Sequence, residues 1–178
     1  MRTPPQMIYT DLNTEIDVGS SGHLIEFGPF RALVDCGLHP KYMGLSALPN
    51  LSKVPPETLD FIAVTHTHLD HCGSLPVVAR HQSSAHILVA DESYELLFRM
   101  LRNSRTVMAK QREEFNIKEY PLFDYSAIDE LRSRVASTTR VSTLPCVCAY
   151  PPVRNRRQPC RHNFLSRRTY TWGGERYV

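Results

Sequence analysis

Short runs of apolar, β-prone residues punctuate the first half of the chain. Residues 22–27 and 30–34 have strand patterns separated by a Gly-Pro turn signal, which predicts a β-hairpin. The apolar run 61–64 fits a strand buried on both faces, and residues 86–90 fit a further strand. The stretch 38–58, rich in Pro, Gly, Asn and Ser, predicts an extended loop.

Apolar residues recur every three or four positions between and after these strands, which is the period of a helix. This spacing predicts a short helix over 73–81 and a long one over 92–116. Ser126-x-x-Asp129 predicts a capping box that begins a helix ending near Val135. Strands that alternate with helices indicate a layered α/β domain.

The pattern changes beyond residue 137, where four prolines interrupt any long element and only residues 168–172 look strand-like. Charge changes as well: residues 1–140 carry 14 Lys or Arg against 17 Asp or Glu, whereas the remaining 38 carry seven Arg and one Glu. We therefore predict a domain over 1–137 and a divergent basic tail over 138–178.

The composition places limits on the protein class. A chain of 178 residues that is 42% hydrophobic can bury one modest core. No run approaches the roughly 20 apolar residues of a membrane span, and no apolar segment follows the first methionine, so we predict a cytoplasmic protein without membrane contact. The five cysteines are scattered, which predicts reduced thiols.

Metal-ligating side chains cluster directly after the strand predicted at 61–64. His66 and His68 point the same way on extended chain, and Asp70 and His71 follow where the chain turns. Four such donors within six residues favour two adjacent zinc ions, one held by the first two donors and one by the last two. The alternative is a set of solvated loop histidines.

Two adjacent ions can hold a hydroxide and polarise a phosphoryl oxygen, which predicts hydrolysis. Asp70 is predicted to be catalytic as well as a ligand, by orienting or deprotonating the water. Asp35, at the end of the second hairpin strand, either accepts a hydrogen bond from a ligand histidine or merely caps the strand end. His39 lies in the loop near Asp35 and could approach the substrate.

These residues resemble a known family. Asp35 after a hairpin, followed by Thr-His-Thr-His-Leu-Asp-His-Cys-Gly at 65–73, resembles the first two motifs of metallo-β-lactamase-fold hydrolases. The stretch 73–123 is similar to the β-CASP branch, which contains RNA-processing endonucleases and exonucleases. The resemblance covers about residues 8–136. It implies part of an αββα sandwich, two zinc ions in the complete site, Asp35 among the catalytic residues, and hydrolysis of phosphodiesters in nucleic acid, with RNA the expected partner.

Several parts of the family pattern are not recognisable in the chain. They are a third metal-binding histidine in a Gly-His-x-x-Gly motif, a bridging aspartate and the histidines of an inserted cap domain. One hypothesis explains both the missing motifs and the basic tail: residues from about 138 onward are translated out of frame. The alternatives are a zinc site, a basic RNA-binding arm and a disordered tail. The candidate ligands of that zinc site are Cys146, Cys148, Cys160 and His162.

Three functions follow from this sequence. The first is a β-CASP-like metallonuclease that retains half of its site. The second is a thioester or lactone hydrolase, because the same fold serves that chemistry and fold alone does not fix the substrate. The third is a truncated, non-catalytic product, since two protein donors for each ion predict weak metal binding. The sequence predicts no oligomeric state.

Overall fold

The computed structural model describes residues 6–13, 18–137, 171–172 and 175–176. The chain divides into two compact units, Met1–Ser142 and Thr143–Val178. The first unit contains a single six-stranded mixed sheet in which the strands lie in chain order. Its strands are β1 (Met7–Asp11), β2 (His23–Phe27), β3 (Phe30–Val34), β4 (Phe61–Val64), β5 (His86–Val89) and β6 (Val135–Ser137).

The sheet combines two kinds of strand pairing. Strands β1, β2 and β3 are antiparallel neighbours, so the predicted hairpin is confirmed as β2 and β3. Strands β3, β4, β5 and β6 run parallel. The carboxyl ends of these four strands therefore meet at one edge of the sheet, where parallel sheets commonly place ligand sites.

Four α-helices lie in the connections from β4 to β5 and from β5 to β6. They are α1 (Leu69–Cys72), α2 (Leu75–His81), α3 (Asp91–Phe115) and α4 (Tyr125–Arg134). Two 3₁₀ turns, Gly44–Ala47 and Leu51–Lys53, lie within the predicted 38–58 loop. The helix predicted over 73–81 begins at Leu75 with a proline in its first turn, where no backbone donor is lost from the helix ladder. In the part of the chain that is described, no helix is long and apolar enough to span a bilayer.

One face of the sheet joins the helices in a single core. Leu24, Leu33 and Ile62 are buried on this face and belong to the same cluster as residues of α2, α3 and α4. On the opposite face of β4, Phe61 and Ala63 are only half-buried. Strand β4 was predicted to be buried on both faces, and it is fully buried on only one of them. The predicted mixed α/β class is confirmed.

Three local features differ from the sequence predictions. The capping box at Ser126 is wrong: α4 begins at Tyr125, and Asp124 is its cap because that carboxylate accepts from the Ala127 N–H at 2.9 Å. Strand β1 was not predicted because four of its five residues are exposed, so no buried face produces an alternating pattern. Strand β6 follows α4 without a turn signal.

The second unit is described at four residues. Strand β7 (Thr171–Trp172) pairs antiparallel with β8 (Glu175–Arg176). The strand predicted over 168–172 is thus present at its last two residues, and its first three lie outside the described residues. The interpretations of the tail as a zinc site, a basic arm or an out-of-frame segment also concern residues that lie outside the described residues.

Candidate metal centre

The predicted site residues lie where two neighbouring parallel strands end. Asp35 follows β3, and His66 and His68 follow β4. Val34 is the register partner of Ala63, and the Asp35 N–H donates to the Ala63 carbonyl oxygen at 2.8 Å. The strand register therefore brings the carboxylate of one strand end beside the histidines of the other.

Two backbone hydrogen bonds, from Cys36 and from Ser21, hold their segments against helix α1, and together they are called the strap. The Cys36 N–H donates to the His71 carbonyl at 2.7 Å, and the Ser21 N–H donates to the Asp70 carbonyl at 2.8 Å. A Cβ atom added at Gly37 would lie 1.6 Å from the Asp70 carbonyl oxygen. Only glycine fits this crossing, so Gly37 holds the chain close enough for the strap to form.

Asp35 is the buried centre of the site. Its side chain is 4% exposed and its backbone is left-handed, with φ of 62°, which aspartate tolerates better than most residues. Oδ2 accepts from His71 Nδ1 at 2.9 Å, and Oδ1 accepts from the Thr65 N–H at 2.8 Å. Asp35 thus contacts a predicted ligand histidine, as the first of its two interpretations requires. Because Nδ1 of His71 donates to this carboxylate, Nε2 is left to bind a metal.

Thr65 orients a second imidazole. Its hydroxyl lies 2.8 Å from Asp35 Oδ2 and 3.1 Å from His66 Nδ1. Since the hydroxyl hydrogen is directed to the carboxylate, the oxygen accepts from Nδ1–H and leaves His66 Nε2 available. Sequence reasoning did not assign this role to Thr65. The available signal was a hydroxyl residue directly before the first histidine.

The four predicted ligands form two close donor pairs. His66 Nε2 lies 3.2 Å from His68 Nδ1. His71 Nε2 lies 3.5 Å from Asp70 Oδ2. Ligands about 2.0 to 2.1 Å from a tetrahedral zinc ion are about 3.3 Å apart, so either pair has a separation that one ion can bridge.

The two pairs adjoin each other. The ring centroids of His66 and His71 are 3.9 Å apart. Among the described residues, no group of three or more His, Cys, Asp or Glu side chains is arranged to hold one ion. The donor types suit divalent metal ions, and the four side chains form two adjoining pairs rather than a complete cage.

The two cysteines beside these ligands remain thiols. Cys36 and Cys72 are buried and free. Burial raises the pKa of Cys36 well above its ordinary value, and burial is also the largest cause that raises the pKa of Cys72 to about 12. The raised pKa values favour the thiol form of both side chains at neutral pH.

His39 lies close to the site but in a different environment. It is 4% exposed and its Nδ1 accepts from the Lys41 N–H at 3.2 Å. Together with Asp70 it lines a cavity of about 470 Å³ between the loop after β3 and helix α3. The structure thus places His39 on a wall shared with a candidate metal ligand.

Comparison with known proteins gives consistent matches. Residues 17–139 match the model of the metallo-β-lactamase superfamily, which covers more than half of the chain. The cleavage and polyadenylation specificity factor subunit 3-I of Arabidopsis thaliana is 40% identical over 75 residues, which are 42% of this chain and 11% of that protein.

Two fungal endoribonucleases are also similar. The Neurospora crassa endoribonuclease ysh-1 is 26% identical over 150 residues, covering 79% of this chain and 17% of that protein. The Schizosaccharomyces pombe endoribonuclease ysh1 is 40% identical over 70 residues, covering 39% of this chain and 9% of that protein. The chain therefore matches less than a fifth of the length of these relatives.

Proposed function

The chain belongs to the metallo-β-lactamase superfamily, and from that premise we propose that it is part of a metal-dependent ribonuclease that hydrolyses phosphodiester bonds in RNA. The single observation that carries the proposal is the geometry of the donors: two pairs, at 3.2 and 3.5 Å, meet at the carboxyl ends of parallel strands. Two relatives that are named endoribonucleases, and one that is named a subunit of a cleavage and polyadenylation specificity factor, support the choice of RNA.

Zinc is the proposed metal, because imidazole and carboxylate donors suit it. His66 and His68 would hold one ion, and Asp70 and His71 the other. Bound ions supply Lewis-acid polarisation of a phosphoryl group and lower the pKa of water. Thr65 and Asp35 support this arrangement by fixing the tautomers of His66 and His71.

The two carboxylates have separate proposed roles. The Asp70 side chain is 28% exposed, so it can reach both an ion and a water molecule from solvent, and it is the proposed proton acceptor. The Asp35 side chain is 4% exposed and is occupied by His71 and Thr65. Asp35 is therefore a positioning residue whose effect passes through the two imidazoles.

A second candidate function is a non-catalytic fragment. It is favoured by the absence, within the described residues, of any three-donor group, because two donors bind an ion weakly. Nothing in the site geometry favours the thioester or lactone substrate over RNA.

The cytoplasmic location, the division at 137/138 and the out-of-frame tail remain predictions. Translating the other frames of the gene tests the out-of-frame tail. A downstream Gly-His-x-x-Gly segment would support it, and its absence from every frame would contradict it.

Zinc content and RNA cleavage test the proposal together. The purified 178-residue chain is dialysed with zinc, the bound metal is measured, and labelled single-stranded RNA is incubated with and without a chelator. We expect bound zinc that falls on Asp70→Asn, and cleavage that disappears with the chelator. Asp91→Asn, an exposed residue of α3, is the matched control and should leave both readouts unchanged.

The outcomes separate the candidates. Zinc binding without cleavage would support the non-catalytic fragment. Zinc content that is the same in the wild type, Asp70→Asn and a His66→Ala/His68→Ala double variant would overturn the metal site itself.

A further inference from the structure

A cavity beside Asp70 is not used by the proposed metal chemistry. It has a volume of about 470 Å³, within the range of small-molecule sites. One wall is the loop after β3, the opposite wall is a face of α3, and Asp70 lies between them. A group bound here would therefore lie directly beside the phosphate attacked at the proposed site.

The chemistry of the lining selects the kind of group. Apolar side chains form most of the surface, including Leu38, Val107 and Met108. The side-chain amides of Asn103 and Gln111 add donors and acceptors, and the lining residues that the structure describes include no Lys or Arg. Because none of the described lining residues carries a positive charge, a phosphate would lack a cationic side-chain partner there. A flat, neutral group with hydrogen-bonding edges is the better fit.

Aromatic and imidazole groups on the loop wall strengthen this assignment. Tyr42 lines the cavity, and its ring centroid lies 4.4 Å from that of His39. The Lys41 N–H donates to His39 Nδ1, so the proton of the neutral ring lies on Nε2. That buried Nε2 has no hydrogen-bond partner within the described part of the chain. The loop wall therefore carries an aromatic stacking surface at Tyr42, whereas His39 Nε2 is buried and is not exposed to a bound base.

We infer that this cavity is a nucleobase subsite, in which one unpaired base of the RNA next to the cleaved phosphate inserts between the loop and α3. The inference rests on the proposed function and names its substrate more narrowly as single-stranded RNA. Tyr42 supplies the stacking face, and Asn103 and Gln111 read the edge of the base. Duplex RNA is excluded, because a paired and stacked base cannot enter.

Binding of an abasic series of RNAs to the zinc-loaded 178-residue chain tests the subsite. A fluorescein-labelled RNA hexamer is prepared intact and with one abasic position at a time, and dissociation constants are measured by anisotropy. One abasic position should weaken binding about tenfold, which corresponds to the usual contribution of one stacked base. The other positions should have little effect.

Variants of the lining locate the subsite. Tyr42→Ala and Gln111→Met should weaken binding of the intact hexamer about five- to tenfold. They should have no further effect on the hexamer that lacks the critical base. Thr106→Val is the matched control, because it removes a neutral polar group from an exposed position of α3 outside the cavity lining. It should bind both hexamers as the wild type does.

Each outcome decides the inference. Equal affinity for every abasic hexamer, or equal weakening of intact and abasic RNA by Gln111→Met, would overturn the subsite. If zinc is retained in that case, the proposed metal function stands. If the wild type binds no RNA at all, the proposed function falls and the subsite falls with it.

Discussion

The two donor pairs of the candidate metal centre are built differently. Asp70 and His71 lie on α1, their carbonyls are held by the strap, and the His71 ring is fixed by the buried carboxylate of Asp35. His66 and His68 lie on extended chain after β4, where His66 is oriented through the exposed Thr65. The first pair is therefore preorganised by the fold, whereas the second depends more on the ion itself.

This difference predicts an order of metal binding. A preorganised pair loses less conformational entropy when it binds, so the Asp70 and His71 pair should take up zinc at lower concentration than the His66 and His68 pair. Changes to the strap and to Asp35 should therefore have larger effects than changes near His66.

The largest expected effect comes from Gly37→Ala. The added Cβ would overlap the Asp70 carbonyl oxygen, and because both partners are backbone, neither can move without breaking the strap. We expect the free energy of unfolding to fall by about 3 kcal/mol or more, measured by urea denaturation. Gly22→Ala is the matched control: its nearest neighbour is the Leu12 Cβ at 3.3 Å, and it should cost less than about 1 kcal/mol. Equal unfolding curves for the two variants would contradict the strap.

Asp35→Asn should weaken zinc binding about 10- to 100-fold, because an amide no longer stabilises the oriented His71 ring. Competition with a chromophoric chelator measures this change. Asp60→Asn is the control, since Asp60 accepts from the Arg31 N–H at 2.8 Å in the same pair of strands but lies away from the ligands. Equal losses in both variants would mean that Asp35 acts through general stability.

Thr65→Val should weaken zinc binding less than Asp35→Asn does. The loss should be confined to the weaker phase of the zinc titration, which is assigned to the His66 and His68 pair. The valine removes the hydroxyl between Asp35 and His66 but keeps the Thr65 N–H bond to Asp35 Oδ1. We expect a loss of about three- to tenfold at the His66 and His68 pair, and no change at the other pair. A loss confined to the tighter phase would reverse the assignment of the two pairs.

The smallest expected effect tests a contact away from both pairs. Hydrogen bonds from Ser84 and Ser83 lower the pKa of Glu57 from 4.5 to about 2. A lowered pKa in the folded state stabilises the protein above pH 4.5, and this stabilisation is lost as the pH falls toward 2. The difference in urea midpoint between the wild type and Glu57→Gln should therefore shrink over that range. Zinc affinity at pH 7 should stay unchanged, and a change in it would contradict the separation of this contact from the site.

Much of the fold could be predicted because its signals are local. The hairpin, β4, β5 and α3 have apolar patterns that match their periods, and the donors lie within six residues. Strand β1 could not be predicted because four of its five residues are exposed. Asp124 was missed as a cap because Ser126-x-x-Asp129 resembles a capping box, whereas the residue three positions after Asp124 is Ala127.

The supports of the metal centre could not be predicted in the same way. The contact between Gly37 and Asp70 joins segments far apart in the chain, and it exists only once β3 and β4 are in register. The relay from Asp35 through Thr65 to His66 also depends on that register. The sequence predicted which side chains lie close together. The packed sheet determines which imidazole nitrogen of His66 and of His71 is available to bind a metal ion.

The left-handed backbone at Asp35 limits how this site can change by mutation. Position 35 must supply acceptors for three donors, two on Thr65 and one on His71, and must also adopt a φ of 62°. Glycine meets the conformational demand without the carboxylate, and glutamate brings a carboxylate on a residue that adopts this conformation less readily. Asparagine is the nearest compromise and forfeits the charge. None of these three replacements therefore combines the carboxylate with the conformational tolerance that aspartate provides at this position.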